Sequence, residues 1–137
     1  MDKDVVNAKI EVLRRCIQRI RDKTPASADS LLGNLDLQDI IGINLERAVQ
    51  VCIDIAAHLI ADSNQPAPGT MAESFDHLRL EFITDKLATR MKKAVGFRNI
   101  AVHAYQEISW EIVYNIITTR LDDFSEYAKA VDRATEP

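Results

Sequence analysis

A chain of 137 residues with 47% hydrophobic and 28% charged side chains has the size and make-up of one folded domain and excludes a mainly disordered protein. The net charge of −4 excludes a broad basic surface for nonspecific phosphate binding. Any nucleic acid would be handled at a local site or in a cleft that two subunits build together, and the acidic balance leaves room for a basic protein partner.

Only 4 Gly and 4 Pro punctuate the chain, so the pattern predicts long helices rather than many short strands. Met1-Asp2-Lys3-Asp4 opens with charge and leads into no apolar block, so no export leader is expected. The first predicted helix runs from about Asp4 to Lys23, with Val6, Ile10, Leu13, Ile17 and Ile20 at three- and four-residue spacing and four arginines between them. Thr24-Pro25-Ala26-Ser27 breaks it. A short helix or loop follows through Ser30–Asn34. The second and longest helix is predicted from about Asp36 to Ala61. Beside its apolar face runs a line of Asn44, Arg47, Val51, Asp54 and His58. That line reads either as a solvated stripe or as a polar wall facing a cleft or a partner subunit. Arg47 and Asp54 are its preferred supporting groups for a site, and structural pairing within the bundle is the alternative for both.

Residues 62–69, Asp-Ser-Asn-Gln-Pro-Ala-Pro-Gly, form the clearest loop. Thr70 with Glu73 reads as a capping box for a third helix, about Met71–Phe82, with Phe75, Leu78 and Phe82 inward. Thr84 caps a fourth helix, about Asp85 to Val102. Ser109 caps a fifth, about Trp110 to Asp132. Cys16 and Cys52 sit in apolar helical patterns and read as buried free thiols of a reducing cytosol. No uncharged apolar run approaches the roughly 18–20 residues of a membrane helix. The expectation is a single domain over 1–137, all-α: an up-and-down bundle of about five helices.

The stretch that carries chemistry is residues 96–105, Gly-Phe-Arg-Asn-Ile-Ala-Val-His-Ala-Tyr. Arg98, Asn99, His103 and Tyr105 place a guanidinium, an amide, an imidazole and a phenol among small and apolar neighbours, a costly arrangement unless the groups are paired or used. At about 100° per residue Arg98 and Tyr105 share a helix face, whereas Arg98 and His103 lie about 140° apart. The two converge only if Arg98 swings round the helix or the helix ends near His103. Arg binds phosphate bidentately and stays charged, and His exchanges a proton near neutral pH. RNA brings its own 2′-hydroxyl nucleophile, so a base or acid and a cation suffice for cleavage without metal. The alternative is that Arg98 pairs with a carboxylate such as Asp54 and that His103 is an ordinary polar residue. The three histidines make no HxxxH or HExxH pattern, and no Gly-x4-Gly-Lys-Ser/Thr or GxGxxG loop occurs, so neither a metal nor another cofactor is expected.

Arg98-x4-His103-x-Tyr105 resembles the Arg-x4-His-x-Tyr motif of HepT-type HEPN proteins. The run from Asp39 through Asn44-Leu45-Glu46-Arg47-Ala48-Val49-Gln50 and Ile53-Asp54-Ile55-Ala56 to His58-Leu59-Ile60 resembles the same family. The resemblance implies a homodimeric bundle with Arg98 and His103 facing a shared cleft, supported by Asn99. It implies metal-independent cleavage of mRNA or tRNA in the cytoplasm, as the toxin of a toxin–antitoxin pair. It also implies a cognate MntA-like nucleotidyltransferase antitoxin that transfers AMP to Tyr105; simple packing of the phenol is the alternative. Ala104 departs from the acidic residue that relatives often carry there, which bears on how His103 is oriented. A second functional reading stays open: a non-catalytic HEPN partner that serves a nucleotidyltransferase as substrate or adaptor.

Overall fold

The computed structural model describes residues 2–136; Met1 and Pro137, the two ends of the expected domain, lie outside the described residues. Among the described residues there are seven α-helices and no strand: α1 Lys3–Lys23, α2 Ala28–Leu32, α3 Leu35–Ala61, α4 Met71–Leu78, α5 Asp85–His103, α6 Trp110–Thr119 and α7 Asp122–Thr135. A 3-10 turn, Tyr105–Glu107, joins α5 to α6. None of these helices is long and apolar enough to cross a membrane.

Local chemistry sets most boundaries. Asp2, Ser27, Asn34, Thr70, Thr84 and Ser109 each accept a backbone N–H in the first turn of the helix they precede. The Thr70 box forms one residue wider than expected: Thr70 Oγ1 accepts from Glu73 N, but the Glu73 carboxylate accepts from Gly69 N at 2.9 Å. The side chain of buried Gln38 donates to the carbonyls of Leu31 and Leu32, which closes the end of α2 onto α3.

Two predicted helices are shorter than the apolar spacing suggested. The third stops at Leu78, whose carbonyl accepts from Phe82 N at 2.7 Å and Ile83 N at 3.1 Å and so curls the chain into a turn. The fifth divides at Arg120–Leu121. The hydroxyls of Thr118 and Thr119 bond back to the Tyr114 and Asn115 carbonyls, occupying acceptors of the last turn of α6. Asp122 and Asp123 then open α7, where carboxylates suit the positive end of a helix dipole. The spacing Ile117–Leu121–Phe124 runs through the break and conceals it; all three are buried.

The core is built on α3, which packs against α1, α4 and α5 and buries residues along its whole length. Phe75 of α4 and Tyr127 of α7 meet edge to face at 5.9 Å, and the Tyr127 hydroxyl donates to the Cys52 carbonyl at 2.9 Å. Cys16 and Cys52 are buried free thiols, and burial pushes the pKa of both up, so they are poor nucleophiles. Arg90 of α5 pairs with the largely buried Asp123 at 3.0 Å and ties the start of α7 to the helix that carries Arg98 and His103.

Candidate active site

α5 supplies most of the site, and α3 holds it. The Arg98 guanidinium donates from Nε to Gln50 Oε1 at 3.0 Å and from its NH1 nitrogen to Asn99 Oδ1 at 3.1 Å. The amide nitrogen of Gln50 in turn donates to Asp54 Oδ1 at 3.0 Å, and Lys9 Nζ of α1 lies 3.9 Å from Asp54 Oδ2. Asp54 therefore does not pair with Arg98 directly. Gln50 stands between them, its carbonyl facing the cation and its amine facing the anion, one helical turn before Asp54. Two neutral amide oxygens orient Arg98 without neutralising it. They engage two of its five N–H donors, and the rest have no partner among the described residues.

His103 is the last residue of α5 and is exposed. Ala104 leaves the helix with φ −152° and ψ 53°, and its N–H closes the final rung on Ile100 O at 2.8 Å. The helix thus ends at His103, one of the two ways in which Arg98 and His103 could serve one site. The imidazole has no hydrogen-bond partner among the described residues.

Tyr105 lies beyond the helix, so the shared face with Arg98 expected of an ideal helix does not form. Its hydroxyl donates to Asp39 Oδ1 near the start of α3 at 2.8 Å, and its ring meets Trp110 edge to face at 5.9 Å. Gly42 makes this approach possible: a Cβ there would lie 3.1 Å from the Trp110 ring and 3.5 Å from the Tyr105 hydroxyl. Partial burial, the hydrogen bond to Asp39 and the Asp39 charge push the phenol up to about 12. Gln50 and Asp39 are eleven residues apart on α3, so the docking points of Arg98 and Tyr105 are separated by roughly 16 Å of helix.

The other members of the polar line behave differently from one another. Asn44 returns its amide to the Ile40 carbonyl of its own helix. Arg47 is exposed near Cys16 of α1 and makes no ion pair or hydrogen bond among the described residues. Only Asp54 joins the Arg98 network. No group of three His, Cys, Asp or Glu side chains among the described residues forms a metal-ligand set.

A family model described as Ribonuclease HepT-like matches residues 13–131. The chain belongs to the HepT-like ribonuclease family. An mRNA nuclease HepT from Shewanella oneidensis is 35% identical over 129 residues, 93% of this chain and 96% of its own. A tRNA nuclease HepT from Aphanizomenon flos-aquae is 24% identical over 129 residues, 93% of this chain and 88% of its own. A solved toxin–antitoxin structure with AMP-PNP superposes with a TM-score of 0.90 at 33% identity, over 96% of this chain and 99% of that one. A tri-AMPylated Shewanella oneidensis HEPN toxin in complex with MNT antitoxin superposes with a TM-score of 0.88 at 34% identity, over 97% and 99%. The HEPN-like bundle expected from the sequence is thus the fold of this HepT-like chain.

Within the HepT-like motif, reasoning from the sequence assigned no role to Gln50, Asp39 or Trp110, although the first two lie in the run that resembles the family. Gln50 stands four residues before Asp54, a spacing that places an amide and a carboxylate in contact on one helix face. That was a usable signal. Asp39 offered none, since its partner is 66 residues away.

Proposed function

We propose that this HepT-like chain is the toxin of a HEPN/nucleotidyltransferase toxin–antitoxin pair, a metal-independent RNA endonuclease of the cytoplasm that is silenced by AMPylation of Tyr105. The observation that carries the reading is the state of Arg98. It is fixed by amide oxygens instead of a carboxylate, five residues before an exposed histidine at a helix end.

That arrangement suits cleavage by the RNA's own hydroxyl. His103 accepts the 2′-hydroxyl proton while O2′ attacks the adjacent phosphorus. The bond from phosphorus to O5′ breaks, the leaving oxygen takes up a proton from water, and His103 later returns its own proton to solvent. Arg98 holds the phosphate oxygens as negative charge builds on them. Asn99 and Gln50 keep its fork in place. Two protomers bring two such sets to one cleft. An apolar groove of about 810 Å³ between α3, α5 and α6, lined by Leu45, Val49, Phe97, Ile100, Ile112 and Ile116, suits burial against a second copy. The substrate is mRNA or tRNA, in keeping with what the two HepT relatives are called.

The partner is an MntA-like nucleotidyltransferase, in keeping with the antitoxin-bound structures. With Tyr105 docked some 16 Å of helix from the Gln50 anchor, one adenylate acts first by filling the path of the RNA backbone rather than by covering Arg98. The second reading, an adaptor without catalysis, draws on the net charge of −4, on Ala104 and on a His103 ring with no hydrogen-bond partner among the described residues.

Purified protein incubated with total RNA in EDTA separates the two. Wild type should produce new RNA ends, and the Arg98→Ala, His103→Ala double variant should produce none while keeping its helical spectrum. Equal cleavage by the double variant would remove the catalytic assignment, and a lack of cleavage by wild type would favour the adaptor. Tyr105→Phe should cleave RNA yet escape neutralisation by the active partner and ATP. Full neutralisation of that variant, with no adduct on wild type, would remove Tyr105 from the scheme.

A further inference from the structure

We infer that Asp39 is the proton acceptor for modification of Tyr105, so that this chain carries within itself the base that activates its own acceptor hydroxyl. The inference rests on the reading of Tyr105 as the AMPylated residue and deepens it.

A phenol is a weak nucleophile while it holds its proton. Transfer of a nucleotidyl group to it requires that the proton leave as the new oxygen–phosphorus bond forms. The Tyr105 hydroxyl already donates to Asp39 Oδ1 at 2.8 Å, within the reach that general-base catalysis needs before any substrate arrives. No salt bridge or other hydrogen bond engages the Asp39 carboxylate among the described residues, and both side chains are exposed to an incoming nucleotide. The Tyr105 ring is held by Trp110 and packs over Gly42, so its oxygen has a fixed position on α3.

The step balances without any further reagent. A nucleoside triphosphate presented by the nucleotidyltransferase partner supplies the α-phosphorus. The phenolic oxygen bonds to it, the bond to the bridging oxygen of the β-phosphate breaks, and pyrophosphate leaves. Asp39 takes the proton and passes it to solvent. The same carboxylate holds the proton on Tyr105 in the resting protein, so the hydroxyl is activated only when phosphorus is in place. Once the ester has formed there is no hydroxyl left to donate. The new phosphodiester anion then faces a carboxylate, and the two repel.

The test uses the full chain with its active partner enzyme and ATP, and follows adduct mass on Tyr105. General-base catalysis is commonly worth about 100-fold or more, so Asp39→Asn should lower kcat for modification by about that factor with little change in KM for the chain. Its rate should climb with pH as hydroxide replaces the missing base, while the wild-type rate stays flat across neutral pH. Asp39→Glu, which retains a carboxylate, should recover part of the rate. Helical spectra and melting curves of both variants check that they are folded. A raised KM with unchanged kcat, or a pH profile for Asp39→Asn parallel to wild type, would show that Asp39 serves only in docking and overturn the inference. In that event wild type would still carry its adduct on Tyr105 and the proposed function would stand. A wild-type chain that takes no adduct on Tyr105 would bring both down.

Discussion

The two ends of the motif are held by opposite means. Arg98, inside α5, rests against neutral amides, and the Asp54 carboxylate of α3 is linked to it only through Gln50. Tyr105, past the end of α5, rests directly against a carboxylate. A guanidinium keeps its charge whatever its neighbours, so what its surroundings control is whether that charge is already neutralised; amides leave it available to phosphate. For a phenol the surroundings control the proton, and a carboxylate both retains it and stands ready to receive it. One short motif thus contains a cation kept unpaired and a hydroxyl kept paired.

Replacing the neutral spacer breaks the contrast most severely. Gln50→Glu would set a carboxylate against Arg98 and beside Asp54. The new ion pair would compete with the RNA phosphate, so kcat/KM for RNA cleavage should fall about tenfold or more, with the loss mainly in KM; hydrogen bonds to charged groups are worth about 1.5–3 kcal/mol. Gln50→Ala should cost less, since it loosens Arg98 without neutralising it. Cleavage kinetics on one defined RNA decide the order, and Gln50→Glu equal to wild type would mean that the spacer has no electrostatic role.

The phenol end is sharpened by titration. Tyr105 is raised to about 12, above the tyrosine value near 10 expected of the unfolded chain. Its contribution to stability is therefore fully present below about pH 10 and is lost as pH rises through about 12. The difference in tyrosinate absorbance between wild type and Tyr105→Phe should titrate near 12. Asp39→Asn should bring that step down towards 10. No movement of the step would mean that the Asp39 contact does not persist in solution.

The smallest effect is expected at Gly42. In a helix interior Ala is about 1 kcal/mol better than Gly, yet the added Cβ would crowd the Trp110 ring at 3.1 Å. The two effects oppose, so Gly42→Ala should change stability by under about 1 kcal/mol. It should nevertheless shift the fluorescence of Trp110, the single tryptophan of the chain, as the ring is pushed off α3. An unchanged emission spectrum would show that the ring can yield at no cost.

Much of this molecule was legible before its structure. The caps at Thr70, Thr84 and Ser109 and the apolar spacing along α1, α3 and α5 are local signals; they placed α1, α3 and α5 to within a residue or two and gave the starts of α4 and α6. The failures were local signals in competition. At Thr118–Asp123 the apolar period carried on while threonine hydroxyls and paired aspartates ended one helix and began another. At Leu78 the period carried on while one carbonyl gathered the N–H groups of a turn. In the site, Arg98, Asn99, His103 and Tyr105 were legible because they lie within eight residues of one another. The contacts of Gln50 with Arg98 and of Asp39 with Tyr105 were not, because they join residues 48 and 66 positions apart; only the local pairing of Gln50 with Asp54 left a sign in the spacing. Which side chain of α3 faces which of α5 is set by how the two helices pack, and no periodicity records it.

The bond between Tyr105 and Asp39 also acts as a tether. The last rung of α5 is the bond from Ala104 N to Ile100 O, and the segment after it is held to α3 by the phenol. A helix end with few buried contacts opens and closes with little cost in free energy. Esterification of the phenol removes the tether, so the final turn should spend more of its time unwound, with His103 carried along. A covalent mark two residues past the histidine would then be read out as a change in the lifetime of the turn that presents it, visible as faster amide exchange from Ile100 to Ala104 than in the unmarked chain.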